Sequence, residues 1–147
     1  MLEIKDNEPL SKYSTYKIGG LARYFIAVRS KEDILEAIGF AKQKNLPFFL
    51  LGGGSNILFN DSGYDGVIIK IQLGGLKING RRIIAGAGVL LSQLINNSVD
   101  SNLAGLEWGV GIPGTIGGAV NGNAGAYGSS ISEKVESVVV LDENGQE

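Results

Sequence analysis

The spacing of apolar and polar positions changes several times along the 147 residues, and each change marks an element. From Ala22 to Val28, ARYFIAV is dense in aromatic and β-branched residues and predicts a strand. Apolar residues then recur at i, i+4 and i+7 (Ile34, Ile38, Ala41), the stripe of a helix over about 31–44. Ser30 stands in the N-cap position, and Glu32 and Asp33 place negative charge at the positive end of the helix dipole. Asn45 and Pro47 end the helix. PFFLL, residues 47–51, is a short continuous apolar run, the pattern of a strand covered on both faces. Three glycines follow, then a strand NILF, a turn NDSGYDG and a strand VIIKI that ends at Ile71.

LGGL punctuates the chain after this first unit. LKINGRRIIAGAG predicts a hairpin with Asn79-Gly80 as a type I′ turn. Leu91, Leu94, Ile95 and Val99 predict a helix over about 89–100. Eight glycines then fall within the twenty residues from Gly109 to Gly128. The last stretch, VESVVVLDENGQE, is an apolar strand over Val138–Leu141 running into Asn144-Gly145, a hairpin signal with only two residues after it. The expectation is two subdomains, 1–71 and 72–147, the second incomplete at its C-terminal end, in a chain that is the front part of something longer.

Composition narrows the function. A hydrophobic content of 44% with 19% charge describes a globular chain, not a disordered one. No apolar run approaches the roughly 20 residues of a membrane span, and the acidic start MLEIKDNEPL is unlike a secretory leader. With no cysteine, disulfides are excluded and a cytoplasmic location without membrane partners is expected. With no histidine either, the chain lacks the commonest general base, the commonest transition-metal ligand and the most reactive nucleophile. No metal site is expected, and chemistry would have to come from a bound cofactor. Lys and Arg are missing from 45–69 and from 83–133, the stretches that hold the glycine-rich segments. Nucleic-acid binding needs clustered cations and is not expected. A phosphate held by these loops would be met by backbone N–H groups in a site without cations.

The glycines fit no common nucleotide motif. G-x-x-x-x-G-K-[ST] is absent. Gly109, Gly111 and Gly114 satisfy G-x-G-x-x-G, but Pro113, Gly117, Gly118 and Gly122 cannot support the long helix that should follow. Taken together, however, STYKIGG, LLGGGSNILF, AGAG and GIPGTIGGAVNGNAGAYG resemble the amino-terminal FAD-binding region of the UDP-N-acetylenolpyruvoylglucosamine reductase (MurB) family, from about Leu10 to Asp142. GGGSN recurs across flavoproteins of the p-cresol methylhydroxylase (PCMH) fold, whereas GIPGTIGGA with NAGAYG is narrower.

The resemblance implies an α+β, PCMH-type FAD-binding fold of two small α/β subdomains with the flavin between them. It implies that NADPH reduces a non-covalently bound FAD, which reduces the enolpyruvyl ether of UDP-N-acetylglucosamine enolpyruvate to UDP-N-acetylmuramate in peptidoglycan synthesis. Gly52, Gly53, Gly54, Ser55 and Asn56 would cradle the diphosphate. Ile112, Pro113, Gly114, Thr115, Gly117 and Gly118 would line the cofactor's other side, with Asn123, Ala124 and Gly125 near the flavin. Tyr127 would face the substrate or cap a core. No catalytic residue is expected within the chain. The family's arginine in a Tyr-Arg-x-Ser motif, its serine proton donor and its glutamate are expected beyond Glu147, the last two in a substrate-binding domain absent here, and a monomer is expected. An FAD-dependent oxidase of the wider PCMH group and a non-catalytic nucleotide-binding module are the alternative readings.

Overall fold

The computed structural model describes residues 2–142 and 145–146. The chain forms two compact units: one runs to Gln72 and takes in the residues after Val138, and the other is Leu73–Val138.

The first unit is a four-stranded sheet in the order β1-β2-β4-β3. Strands β1 (Ile4–Pro9) and β2 (Leu21–Val28) are antiparallel, while β3 (Phe48–Leu51) and β4 (Tyr64–Ile71) run parallel to each other, as do β2 and β4. The central strand β4 buries Val67, Ile68 and Ile69 in a row, as a strand flanked on both sides must. One face of the sheet carries Leu10, Ala22, Phe25, Leu51, Phe59 and Ile68. Helix α1 (Lys31–Gln43) packs on β2 and β4, burying Ala37, Ile38 and Ala41. It begins as the sequence predicts: Ser30 Oγ accepts from Asp33 N, and the Asp33 carboxylate accepts from Ser30 N, a complete capping box.

Two expectations in this unit change, and one strand was not expected. PFFLL is not covered on both faces: the successive residues Phe49 and Leu50, which point to opposite faces, are both exposed, and β3 is an edge strand paired with β4. NILF is not a strand: 52–60 is loop, its backbone tied instead to the segment before β2, with Thr15 N donating to Gly54 O and Gly20 N to Asn60 O (2.9 Å each). The polar start of the chain forms the edge strand β1, whose charges suit an edge better than a core.

The second unit begins with the hairpin β5 (Leu76–Asn79) and β6 (Arg82–Ala85). Its turn sits one residue later than Asn79-Gly80. Asn79 pairs with Arg82, so Gly80 and Arg81 are the loop residues. Only Gly80 has positive φ (+59°), the pattern of a type II′ turn. Helix α2 (Leu91–Asp100) buries Leu91, Leu94, Ile95 and Ser98. Val99, expected on that stripe, is exposed. Seven residues come closer to two whole turns than eight do, so Ser98 takes the inward place, with its hydroxyl donating to Ile95 O at 2.7 Å. A 3₁₀ turn (Glu107–Gly109), the short helix α3 (Ile116–Asn121) and the small hairpin β7 (Gly125–Ala126) and β8 (Ser129–Ser130) complete the unit. Its core joins α2 to Trp108, Ala119 and Ile131.

Val138–Leu141 was expected as a strand and is not one: it finds no ladder partner among the described residues, and Val138, Val139 and Val140 stay exposed. The hairpin expected at Asn144-Gly145 falls on Asn144, outside the described residues.

Candidate functional site

Each unit presents one of the glycine-rich segments. In the first, the parallel ladder ends at Leu51 opposite Lys70, and the chain turns away as Gly52–Asn56. This loop lies against a turn, in which Lys17 N donates to Ser14 O at 3.1 Å and Thr15 N to Gly54 O at 2.9 Å. Gly54 has φ +74°, and a Cβ there would lie 1.8 Å from the carbonyl oxygen of Tyr13. The missing side chain at Gly54 is therefore demanded by the protein itself, not by a ligand. The N–H groups of Gly53 and Gly54 have no acceptor among the described residues, and Gly53 lines the neighbouring cavity. Ser55 is half-buried, and Asn56 is exposed beside them.

The expectation of a site without cations is overturned. A cavity of about 190 Å³ is lined by Gly53, Ser14, Thr15 and three lysines, Lys12, Lys17 and Lys70. None of the three is within 35 residues of Gly53 on one side or closer than β4 on the other; the fold gathers them. Lys70 Nζ donates to Gly52 O, and burial pushes its ammonium below the usual lysine range. Lys12 is engaged by Glu8 at 3.2 Å. Tyr13 also donates to Glu8 (2.8 Å), which lowers the Glu8 carboxyl, while burial and this bond push the Tyr13 phenol up to about 12. A signal for Lys70 existed in the sequence: it is the lone charge in the run VIIKIQL.

In the second unit, Ile112–Gly118 is stitched to the AGAG segment. Leu91 N donates to Gly114 O (3.0 Å), Ile116 N to Val89 O (2.8 Å) and Gly117 N to Ala87 O (2.9 Å). Thr115, almost fully buried, N-caps α3 by accepting from Gly118 N. Ile112 packs against the core of its unit. A Cβ on Gly117 would meet Ala87 Cβ at 2.8 Å, and one on Gly125 would meet Ser129 O at 2.7 Å, so both glycines are required by packing. Gly118 differs: its nearest obstacle is Thr115 Oγ1 at 3.5 Å, an ordinary contact. Ala124 N donates to Ala119 O and Ile131 N to Ala124 O, while Asn123 accepts from Ser132 N through Oδ1. Tyr127 sits at the tip of the β7–β8 hairpin with φ +53° and is 94% exposed, so it does not cap a core. Sequence reasoning missed Trp108, whose indole Nε1 is buried without a hydrogen-bond partner among the described residues.

In the first unit, a loop amide without an acceptor and the ammonium groups near it form a donor set that fits a phosphate group. Residues 22–147 match the protein family described as FAD binding domain. The chain belongs to that FAD-binding domain family. This FAD-binding domain is 43% identical over 98% of its length to UDP-N-acetylenolpyruvoylglucosamine reductase of Clostridium novyi (strain NT). It is 42% identical over 94% of its length to the protein of the same name from Caldanaerobacter subterraneus subsp. tengcongensis. It spans about half the length of these curated relatives, 47% and 46%. The crystal structure of UDP-N-acetylenolpyruvylglucosamine reductase (MurB) from Thermus caldophilus superposes with a TM-score of 0.72 at 30% identity, covering 90% of this chain and 46% of that one. A Physcomitrella patens BBE-like 1 variant shares the fold at 20% identity, with a TM-score of 0.53 over 68% of this chain and 24% of its own. The FAD-binding domain thus has the α+β, PCMH-type fold. Among its described residues no helix is long and apolar enough to cross a membrane, and no cluster of His, Cys, Asp or Glu could hold a metal ion.

Proposed function

We propose that this chain is the flavin-binding part of a UDP-N-acetylenolpyruvoylglucosamine reductase, taking electrons from NADPH and acting on UDP-N-acetylglucosamine enolpyruvate. The observation that carries the reading is the 43% identity over 98% of the chain to a protein of that name. In this reading, FAD supplies the hydride-carrying ring when bound. The residues Gly52–Asn56 hold its diphosphate, with Gly53 and Gly54 offering their free N–H groups. On the second unit, Ile112–Gly118 and Asn123–Gly125 line the cofactor, and Gly118 is the position where a ligand can approach backbone that protein packing leaves open. Tyr127, held out on a tight hairpin, faces the substrate side. None of the 147 residues is assigned the role of proton donor. The protein is read as a cytoplasmic monomer that binds no nucleic acid.

The test has two stages. The purified protein, incubated with FAD and desalted, should retain the two visible absorption bands of an oxidised flavin; a colourless protein would sink the reading. The complete protein that contains this chain should oxidise NADPH only when the enolpyruvyl sugar nucleotide is supplied. Oxidation that ignores the sugar would instead favour an oxidase.

A further inference from the structure

We propose that Lys17 and Lys70 are the cationic ligands of a diphosphate held at the Gly53 loop, so that the cofactor's charge is met by paired ammonium groups and not by backbone amides alone. The inference rests on the flavin reading above, and it names side chains that the loop motif does not contain. The cavity of about 190 Å³ is smaller than the roughly 300–1,000 Å³ of pockets that enclose a whole ligand, so it suits one part of a ligand, and its three lysines select an anionic part. Its walls bring three cations to one glycine. Lys12 is already neutralised by Glu8. Lys17 and Lys70 have no carboxylate partner among the described residues. Lys70 is half-buried, and its one hydrogen-bond partner among the described residues is the Gly52 carbonyl, a neutral dipole that accepts a hydrogen bond but supplies no counter-charge. Lys17 is held with φ +59° by the Ser14–Lys17 turn, a conformation that costs a non-glycine residue energy and persists only where its surroundings impose it. Both lysines therefore wait in a cavity lined by Gly53, whose N–H has no acceptor among the described residues, and a diphosphate supplies the missing anion for both ammonium groups and that N–H.

The test measures FAD affinity by flavin fluorescence in the purified protein and in Lys17→Gln, Lys70→Gln, Lys70→Arg and the double glutamine variant, at low and high salt. Circular dichroism confirms that each is folded. Each glutamine variant should bind FAD about tenfold more weakly. Lys70→Arg should keep most of the affinity. Salt should weaken FAD binding steeply in the parent and only slightly in the double variant. Glutamine variants with parental affinity and an unchanged salt response would overturn the lysine assignment while leaving the flavin reading intact. Were Lys70→Gln to misfold, Lys17→Gln and the parent's salt response would still decide. If the parent binds no FAD, the flavin reading fails, and titration with inorganic pyrophosphate decides the lysines separately. Binding to the parent that the double variant loses upholds the anion site, and no binding to the parent overturns it.

Discussion

At the scale of single residues, the glycines that look alike in the sequence divide into two kinds. Gly54 combines positive φ with a Cβ position 1.8 Å from the Tyr13 carbonyl oxygen. Gly54→Ala should therefore lose about 3 kcal/mol or more of stability, whether or not flavin is present. A denaturant midpoint equal to the parent's would show that this contact relaxes freely. Gly118 makes the opposite forecast. It lies inside α3 with room for a methyl group, so Gly118→Ala should hold or raise stability, by up to about 0.5–1 kcal/mol. Flavin affinity should fall in the same variant, and unchanged affinity would remove Gly118 from the cofactor's path. Tyr13 gives a pH forecast. Its phenol is pushed up to about 12 from an ordinary 10.0, so the native state favours the neutral form. That stability is fully present below pH 10.0 and is lost as the pH rises from there through about 12. Glu8 acts in the acid range: its lowered carboxyl contributes stability above the ordinary carboxylate range, lost as the pH falls through the depressed value. Tyr13→Phe should flatten the alkaline limb of a stability–pH curve and cost about 1 kcal/mol at neutral pH. A variant whose alkaline limb stays as steep as the parent's would assign that limb to other groups.

At the scale of elements, local chemistry decides where helices start, and neighbours decide what strands become. The capping box at the head of α1 involves only Ser30 and Asp33, three positions apart, and so its residues stand together in the sequence. Ser30→Ala should cost about 1 kcal/mol, read from thermal or urea unfolding, and Gly39→Ala, in the exposed middle of the same helix with nothing near its Cβ position, should return about 0.5–1 kcal/mol. A double variant more than about 0.5 kcal/mol from the sum of the two would mean that the helix is not behaving as an independent element. Strands carried no such local guarantee. PFFLL has the composition of a buried strand, yet its place at the edge leaves Phe49 and Leu50 in water. NILF has strand composition as well, but the residues on either side of it, Gly54 and Asn60, accept from Thr15 N and Gly20 N of the segment before β2, which no pattern in NILF announces.

At the scale of the whole chain, two units each close a core of their own, one around the β2–β4 sheet and one around α2 and Trp108. A ligand that binds only the folded chain stabilises it by mass action, by about 2.7 kcal/mol at one hundred times its dissociation constant. Added FAD should accordingly raise the thermal midpoint in a concentration-dependent way, while riboflavin, which lacks the diphosphate, should raise it less at equal concentration. Equal shifts from the two would mean that the diphosphate contributes nothing to binding.

The sequence alone was sufficient for strand β2, helices α1 and α2, the start of α1, the hairpin near Gly80 to within one residue, and the glycine motifs that mark the FAD-binding family. Each of these is written in residues a few positions apart, within reach of one helical turn or one tight turn. It was insufficient for the electrostatics of the loop those motifs build. Reading 45–69 as free of Lys and Arg was correct, and the conclusion that the site lacked cations was not. Lys70 reaches Gly52 because β3 and β4 pair in parallel with Leu51 opposite Lys70, and Lys17 reaches Gly53 because the turn before β2 is bonded to Gly54. Parallel pairing and loop docking join residues that are far apart in the chain, and charge is felt through space, so only the tertiary structure could decide which ammonium groups stand beside the glycines.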